Sequence, residues 1–238
     1  MLERSASGDS DRQAAERLHP SRSSDRYVVL SRLRDAVGAA AARHLTRGAG
    51  LTLVDHGCGT MPYRPLFEPY LGRYLGADLA SNPRAALTCE PGGRVPLPDG
   101  AAEVVLSTQV LEHVADPEAY LLECRRLLRA GGVLLLSTHG TWPYHPDPVD
   151  YWRWTSEGLR RQIEEAGFAI AESRGILGLA ATSVQLFQDA VMPALPRFLR
   201  PLLAAGFQLA VDLVDRGYSA ERRDRDACVY VVVAHRRD

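Results

Sequence analysis

The feature that most constrains this chain is a short apolar run, Leu51-Thr52-Leu53-Val54, that ends in Asp55 and passes at once into His56-Gly57-Cys58-Gly59-Thr60. So short a run, bounded by turn residues, reads as a strand buried on both faces, as in a parallel sheet. Glycines directly after it let the backbone take positive φ and approach a ligand closely. The pattern recurs. Tyr74 to Ala77 ends at Asp78, and Glu103 to Ser107, Val133 to Ser137, Phe168 to Ser173 and Val229 to Ala234 are further strands. Helical segments lie between and before them. Tyr27, Leu30, Leu33, Val37, Ala41 and Leu45 fall on one helical face. A short helix is expected over Arg64 to Leu71. Asp116 to Arg129 opens with Pro117 and stops at Gly131-Gly132. Thr155 to Ala166 is capped by Thr155 or Ser156 and ended by Gly167. Strands alternating with helices predict an α/β chain whose parallel sheet is covered on both faces.

The length of 238 residues suits one domain with an insertion. Residues Met1 to Ser24 are polar and read as a flexible arm, and residues 25–238 as the domain. A late helical insertion is expected over about residues 176–216, divided by Pro193, Pro196 and Pro201. Lys plus Arg number 28 and Asp plus Glu 29, a net charge of −1, which gives no electrostatic reason to expect a nucleic-acid partner. Cys58, Cys89, Cys124 and Cys228 are widely spaced, without a CxxC pair, so they read as reduced thiols of a cytoplasmic protein. No stretch is apolar for long enough to span a membrane, and charges interrupt the N-terminus where a signal peptide would need an apolar core.

The turn after Val54 has two local readings, a plain structural turn or a nucleotide-like cofactor site. Asp78, ending the next strand, suits ribose hydroxyls in an open α/β sheet. Met61 stands where the GxGxxG fingerprint would need its last glycine, which weakens a dinucleotide reading.

Four ordered segments then carry a resemblance. Leu53 to Thr60 looks like the first motif of the class I S-adenosylmethionine-dependent methyltransferases, and Asp78 matches that family's ribose-binding acid. The run from Val95 to Val114, with Pro98-Asp99-Gly100 and Leu111-Glu112-His113-Val114, resembles a further stretch of the family, and Arg126 to Gly132 resembles its helix end. The resemblance covers roughly Leu51 to Ser137. It implies a Rossmann-like, doubly wound, mostly parallel seven-stranded sheet with helices on both faces. It also implies S-adenosylmethionine as cofactor, held by Asp55, Gly57, Cys58, Gly59, Asp78, Leu79 and Gln109, with Glu90 near the adenine or ribose. Met61 departs from the family's third glycine and alters the expected loop path.

The implied activity is methyl transfer to a small-molecule acceptor, most simply a sugar or natural-product hydroxyl. N- or C-methylation and a non-catalytic cofactor-fold binding protein remain as alternatives. A hydroxyl needs a base, and the segment Thr138 to Thr155 holds His139 and His145, either of which suits the task. Trp142, Trp152 and Trp154 are available to stack on an acceptor or to pack in the core. Glu112 and His113 read as the start of the next helix. Metal spacing is not recognisable, so no metal is expected; Asp147 and Asp150, with the two histidines, are the nearest magnesium ligands. Leu199, Leu203, Phe207, Val211 and Val214 form a helical stripe that packs on the sheet, lines a lid over the acceptor or makes a homodimer face.

Overall fold

The computed structural model describes residues 14–90 and 92–238. One seven-stranded sheet has the order β3-β2-β1-β4-β5-β7-β6. Its strands are β1 Leu51–His56, β2 Leu71–Asp78, β3 Leu87–Thr88, β4 Ala102–Thr108, β5 Leu128–His139, β6 Phe168–Gly178 and β7 Ala227–Arg236. β1 through β5 pair in parallel, whereas β7 lies antiparallel between β5 and β6. The two-residue edge strand β3 has no apolar run of its own to announce it.

Helix α1, Tyr27–His44, packs on one face of the sheet through Val28, Val29, Leu33, Ala36, Val37, Ala40 and Ala41. The other face is covered by α3, Pro117–Leu127, and α4, Ser156–Glu165. Each of these two begins on a side-chain cap: Ala119 N donates to Asp116 Oδ1 at 3.0 Å, and Gly158 N donates to Thr155 Oγ1 at 3.1 Å. α3 ends two residues before the expected Arg129, because Leu128 already pairs with Ala102 as β5 begins. α2 is a single turn, Arg64–Phe67, followed by a 3-10 turn, Glu68–Tyr70, since β2 starts at Leu71.

The first 13 residues of the expected arm lie outside the described residues; residues 14–18 are helical, and the Leu18 carbonyl accepts from Arg34 Nη1 at 3.1 Å. The insertion also starts later than expected. Ile176 to Gly178 are still β6, paired with β7 as far as Gly178 and Ala227, so the helices begin with α5, Leu179–Val191. A 3-10 turn, α6, Arg200–Arg216, and α7, Ala220–Arg225, follow.

The face that α6 buries differs from the expected apolar stripe. Ala204, Gln208, Val211 and Asp215 point inward, while Leu202, Leu209 and Leu213 are exposed. Polar residues are tolerated inside because they satisfy one another. Gln208 Oε1 accepts from Val28 N at 2.8 Å, capping an orphan donor in the first turn of α1, and Gln208 Nε2 donates to Gln185 and Gln188 of α5, both at 2.9 Å. Asp215 Oδ1 accepts from Gly178 N at 2.7 Å, and its carboxylate pairs with Arg32 of α1 and, at 3.1 Å, with Arg223. The insertion is thus docked on α1 through a buried polar seam.

Removing one partner of a buried ion pair strands the others without compensation. Asp215→Ala is expected to lower unfolding stability by about 3–5 kcal/mol. Urea denaturation checks this, and a loss under about 1 kcal/mol, the range of an exposed pair, would show that the seam is not what anchors α6.

Candidate active site

The parallel strands deliver their carboxyl ends to one edge, and the turns there carry the site. β1 runs into a turn in which Gly57 and Gly59 take φ of +77° and +50°. Gly57 has a second reason to be glycine, since a Cβ there would lie 2.6 Å from the Val110 side chain. Gly57 N and Cys58 N both donate to Ala77 O of β2, at 2.8 and 3.1 Å. Asp78 then clasps the turn: Oδ2 accepts from Gly59 N at 2.8 Å and from Asn82 Nδ2 at 2.7 Å, and Oδ1 accepts from Leu79 N at 2.8 Å. Met61 takes the left-handed conformation that a third glycine would favour, at φ +55°, with its sulfur packed over Gly76. The missing glycine therefore leaves the turn intact.

Cys58 is buried under the turn, with Sγ 3.9 Å from Asp78 Oδ2 and close against Gly76. Burial pushes its thiol well above the usual range. Gln109, at the end of β4 with φ +58°, is held to β5 by Gln109 N to Ser137 O at 2.8 Å and Nε2 to Ser137 Oγ at 3.0 Å. Glu90 is exposed just after β3, its N–H bonded to Arg94 O at 2.7 Å. Asp55 is buried, with Oδ2 bonded to Tyr74 Oη and Oδ1 without a hydrogen-bond partner among the described residues. Burial raises its pKa to about 7, against the Tyr74 hydrogen bond, which lowers it.

A second cluster forms where β5 ends. His139 closes that strand, with its ring stacked on Trp142 at 5.0 Å and edge-on to His145 at 4.7 Å. His113 is in turn edge-on to His145 at 5.0 Å. Beneath them lies Glu112, fully buried, with Oε1 3.5 Å from His139 Nε2 and 4.0 Å from His113 Nε2. Its other oxygen accepts from Thr138 Oγ1 at 2.8 Å. Burial raises the Glu112 pKa, and burial with His145 and Arg153 nearby holds His139 well below the usual imidazole value. Burial lowers His145 as well.

The fold thus brings both expected histidines together. It also adds Glu112, His113 and Thr138, which sequence reasoning left out because their partners lie on a different strand. Of the carboxylates nearest to a magnesium ligand set in the sequence, Asp147 is exposed and Asp150 is committed elsewhere. Arg153 Nη1 donates to Asp150 Oδ1 at 2.6 Å and holds that carboxyl far below its usual range. The group of metal-capable side chains among the described residues is instead Glu112, His113 and His145. Trp142 and Trp154 pack against the two cores, and Trp152 is 39% exposed.

Sheet order, glycine turn and terminal acids define the class I S-adenosylmethionine-dependent methyltransferase fold. The comparisons agree: residues 54–136 match the methyltransferase-domain family, which supports a class I methyltransferase. A probable S-adenosylmethionine-dependent methyltransferase of Mycolicibacterium smegmatis is 30% identical over 145 residues, 55% of this chain and 56% of that protein. A ubiquinone biosynthesis O-methyltransferase of Cereibacter sphaeroides is 43% identical over 105 residues, 37% of this chain and 41% of that protein. The matched part spans about half the length of these relatives. A methyltransferase structure from Mesorhizobium loti superposes with a TM-score of 0.52 at 21% identity, covering 85% of this chain and all of that one, and shows the fold. No helix among the described residues is long and apolar enough to cross a membrane.

The residues present fit the cofactor. The space around Gly59 is open, with no described atom beyond its chain neighbours within 4 Å of where its Cβ would be, and the Asp78 carboxylate faces the same turn.

Asp55 gives a pH test. Its raised pKa means that the folded chain holds a proton which the unfolded chain releases above pH about 4. The stability this proton contributes is complete below about pH 4 and is lost as pH rises through about 7. Asp55→Asn is expected to flatten the decline in urea midpoint between pH 5 and 8. An identical slope in the variant would remove Asp55 as its source.

Proposed function

We propose that the chain transfers the methyl group of S-adenosylmethionine to a hydroxyl of a small-molecule acceptor, with His139 as base. The observation that carries this reading is the His139–Glu112 pair at the end of β5: a neutral, nearly buried imidazole beside a buried carboxylate. S-adenosylmethionine, when bound, supplies an electrophilic methyl group. Gly57, Gly59 and Asp78 would hold it, with Leu79 and Gln109 at the margins. The chain's own work is then to align the acceptor oxygen and take its proton, and alignment alone is worth several orders of magnitude in rate. His139 is ready to accept a proton because it is uncharged, and the imidazolium that forms is stabilised by Glu112. A hydroxyl needs such a base more than an amine that already carries a free lone pair. The name of the Cereibacter sphaeroides relative supports oxygen as acceptor.

The loop after β5 also offers surface for a ring-shaped acceptor. Tyr144, Tyr151 and Trp152 are 71%, 52% and 39% exposed, and each has a face for stacking. The insertion borders this loop through Arg26, whose guanidinium lies 4.6 Å from the Trp142 ring centroid and 2.6 Å from Asp189 of α5.

Two variants separate the halves of the site. Asp78→Ala is expected to weaken cofactor binding roughly tenfold or more, because ribose hydroxyls lose a charged partner. His139→Gln is expected to lower turnover by about 10²–10⁴ while cofactor affinity by calorimetry stays unchanged. Assays with labelled cofactor against matched phenol, sugar and amine panels check the acceptor class. Methylation of amines alone, at a rate indifferent to His139→Gln, would overturn the hydroxyl assignment.

A further inference from the structure

Three side chains beside the proposed base share a property. In each, one polar atom is anchored and the other is left over. Glu112 Oε2 accepts from Thr138 Oγ1 at 2.8 Å, while Oε1 is buried and has no hydrogen-bond partner among the described residues. His113 Nδ1 lies 2.7 Å from Val149 O, and His145 Nδ1 lies 3.2 Å from Pro143 O. A carbonyl only accepts, so each Nδ1 carries the hydrogen. In a neutral ring that leaves the Nε2 lone pair bare. One ligand atom from each of the three residues lies within 4.8 Å of the others.

We propose that Glu112, His113 and His145 form a divalent metal site. Metal-bound histidines are held in just this manner, with the far ring nitrogen donating to a carbonyl or carboxylate so that tautomer and ring direction are fixed before the ion arrives. The carboxylate is anchored in the same way by Thr138. A buried oxygen without a donor costs free energy, and a cation satisfies it. His139 does not do so fully, since its Nε2 stands 3.5 Å from Glu112 Oε1, longer than an ordinary hydrogen bond. Ligand bonds of about 2.0–2.2 Å require the three atoms to close in by roughly an ångström, within the reach of side-chain rotation for the half-exposed His145. Nearby Arg153 does not forbid a cation, because Asp150 takes its charge in a two-point pair.

The donor set selects the ion. Two imidazoles and one carboxylate suit zinc, manganese, iron or cobalt, whereas magnesium and calcium take oxygen donors. Three protein ligands leave a position open, as in catalytic rather than structural sites. Metal binding itself does not rest on the methyl-transfer reading. Only the further step, that the open position takes the acceptor oxygen and lowers its pKa, rests on it.

The test therefore measures binding without cofactor or acceptor. Full-length protein stripped with chelator is titrated with Co²⁺, followed by its visible d–d absorption, and with Zn²⁺ by calorimetry. One equivalent is expected to bind. Glu112→Gln and His145→Ala are each expected to weaken binding roughly 100-fold or more, beyond the 10–100-fold range of outer-shell losses, and Thr138→Val to fall inside that range. Asp147→Asn, exposed on the same loop, is expected to leave affinity unchanged. His145→Ala lies at a partly exposed position, and its denaturation midpoint confirms that it is folded. No binding of either ion near 1 mM, or binding undiminished in folded His145→Ala and Thr138→Val, overturns the site. Loss of binding in Asp147→Asn also overturns this ligand set. Methyl transfer can succeed or fail independently of each result.

Discussion

The site depends on the parallel register of β1, β4 and β5. Asp55 lies opposite Leu106, and Thr108 lies opposite Ser137, so all three strands finish at one edge. The chain has to reverse direction after each, and the reversals are where backbone leaves the sheet and side chains are free to converge. Gly57 and Gly59 turn after β1, Gln109 turns after β4 with positive φ, and His139 ends β5 beside a glycine. An antiparallel sheet would send alternate turns to opposite edges. It would separate Glu112 from His139, which here sit 3.5 Å apart although they come from different strand ends.

The strands themselves were readable because a strand covered on both faces must be apolar almost throughout. Leu53 and Val54 of β1 and Leu134, Leu135 and Leu136 of β5 are buried to within one per cent, and their runs stand out. What could not be read has a common cause. β3 is two residues held by backbone pairing to Ala77 and Asp78, and backbone pairing leaves no side-chain pattern. The inward face of α6 carries Gln208 and Asp215, which any hydrophobicity argument sends to solvent. Their burial is legible only once Gln185, Gln188, Arg32 and Arg223 are known to surround them. The same limit applies at the site. His139 and His145 were visible as titratable residues after a central strand, whereas Glu112 and His113 looked like the opening of a helix. Their partners Thr138 and His139 belong to another strand, and pairing across strands is not encoded in spacing.

Burial without full pairing recurs around this edge and gives it an electrostatic character. Asp55, Glu112 and His139 are each nine-tenths or more removed from solvent, and each is shifted toward its neutral form. Charge in such surroundings is disfavoured by several kcal/mol per ion unless something compensates it. Each of these groups therefore favours whatever brings or accepts charge at the right atom. A base that must start neutral is served by that condition, and so is a buried oxygen that a cation would satisfy.

The attachments of the insertion differ in strength. Against α1 it is held by Asp215 and the glutamine cluster, all buried. Against the loop after β5 it is held through Arg26, a partly exposed ion pair to Asp189 and a cation–π contact to Trp142. Exposed contacts of these kinds are worth about 1 kcal/mol or less each. Breaking the first set strands a fully buried carboxylate without its partners; breaking the second separates an ion pair that solvent already reaches. The helices expected to form a lid are thus docked on α1 through buried polar contacts. The loop after β5 is held by its own backbone, since Tyr151 N and Trp152 N donate to Glu112 O at 2.8 and 3.2 Å and Trp152 Nε1 donates to Val114 O at 2.8 Å, so the exposed faces of Tyr144, Tyr151 and Trp152 are presented from an anchored segment.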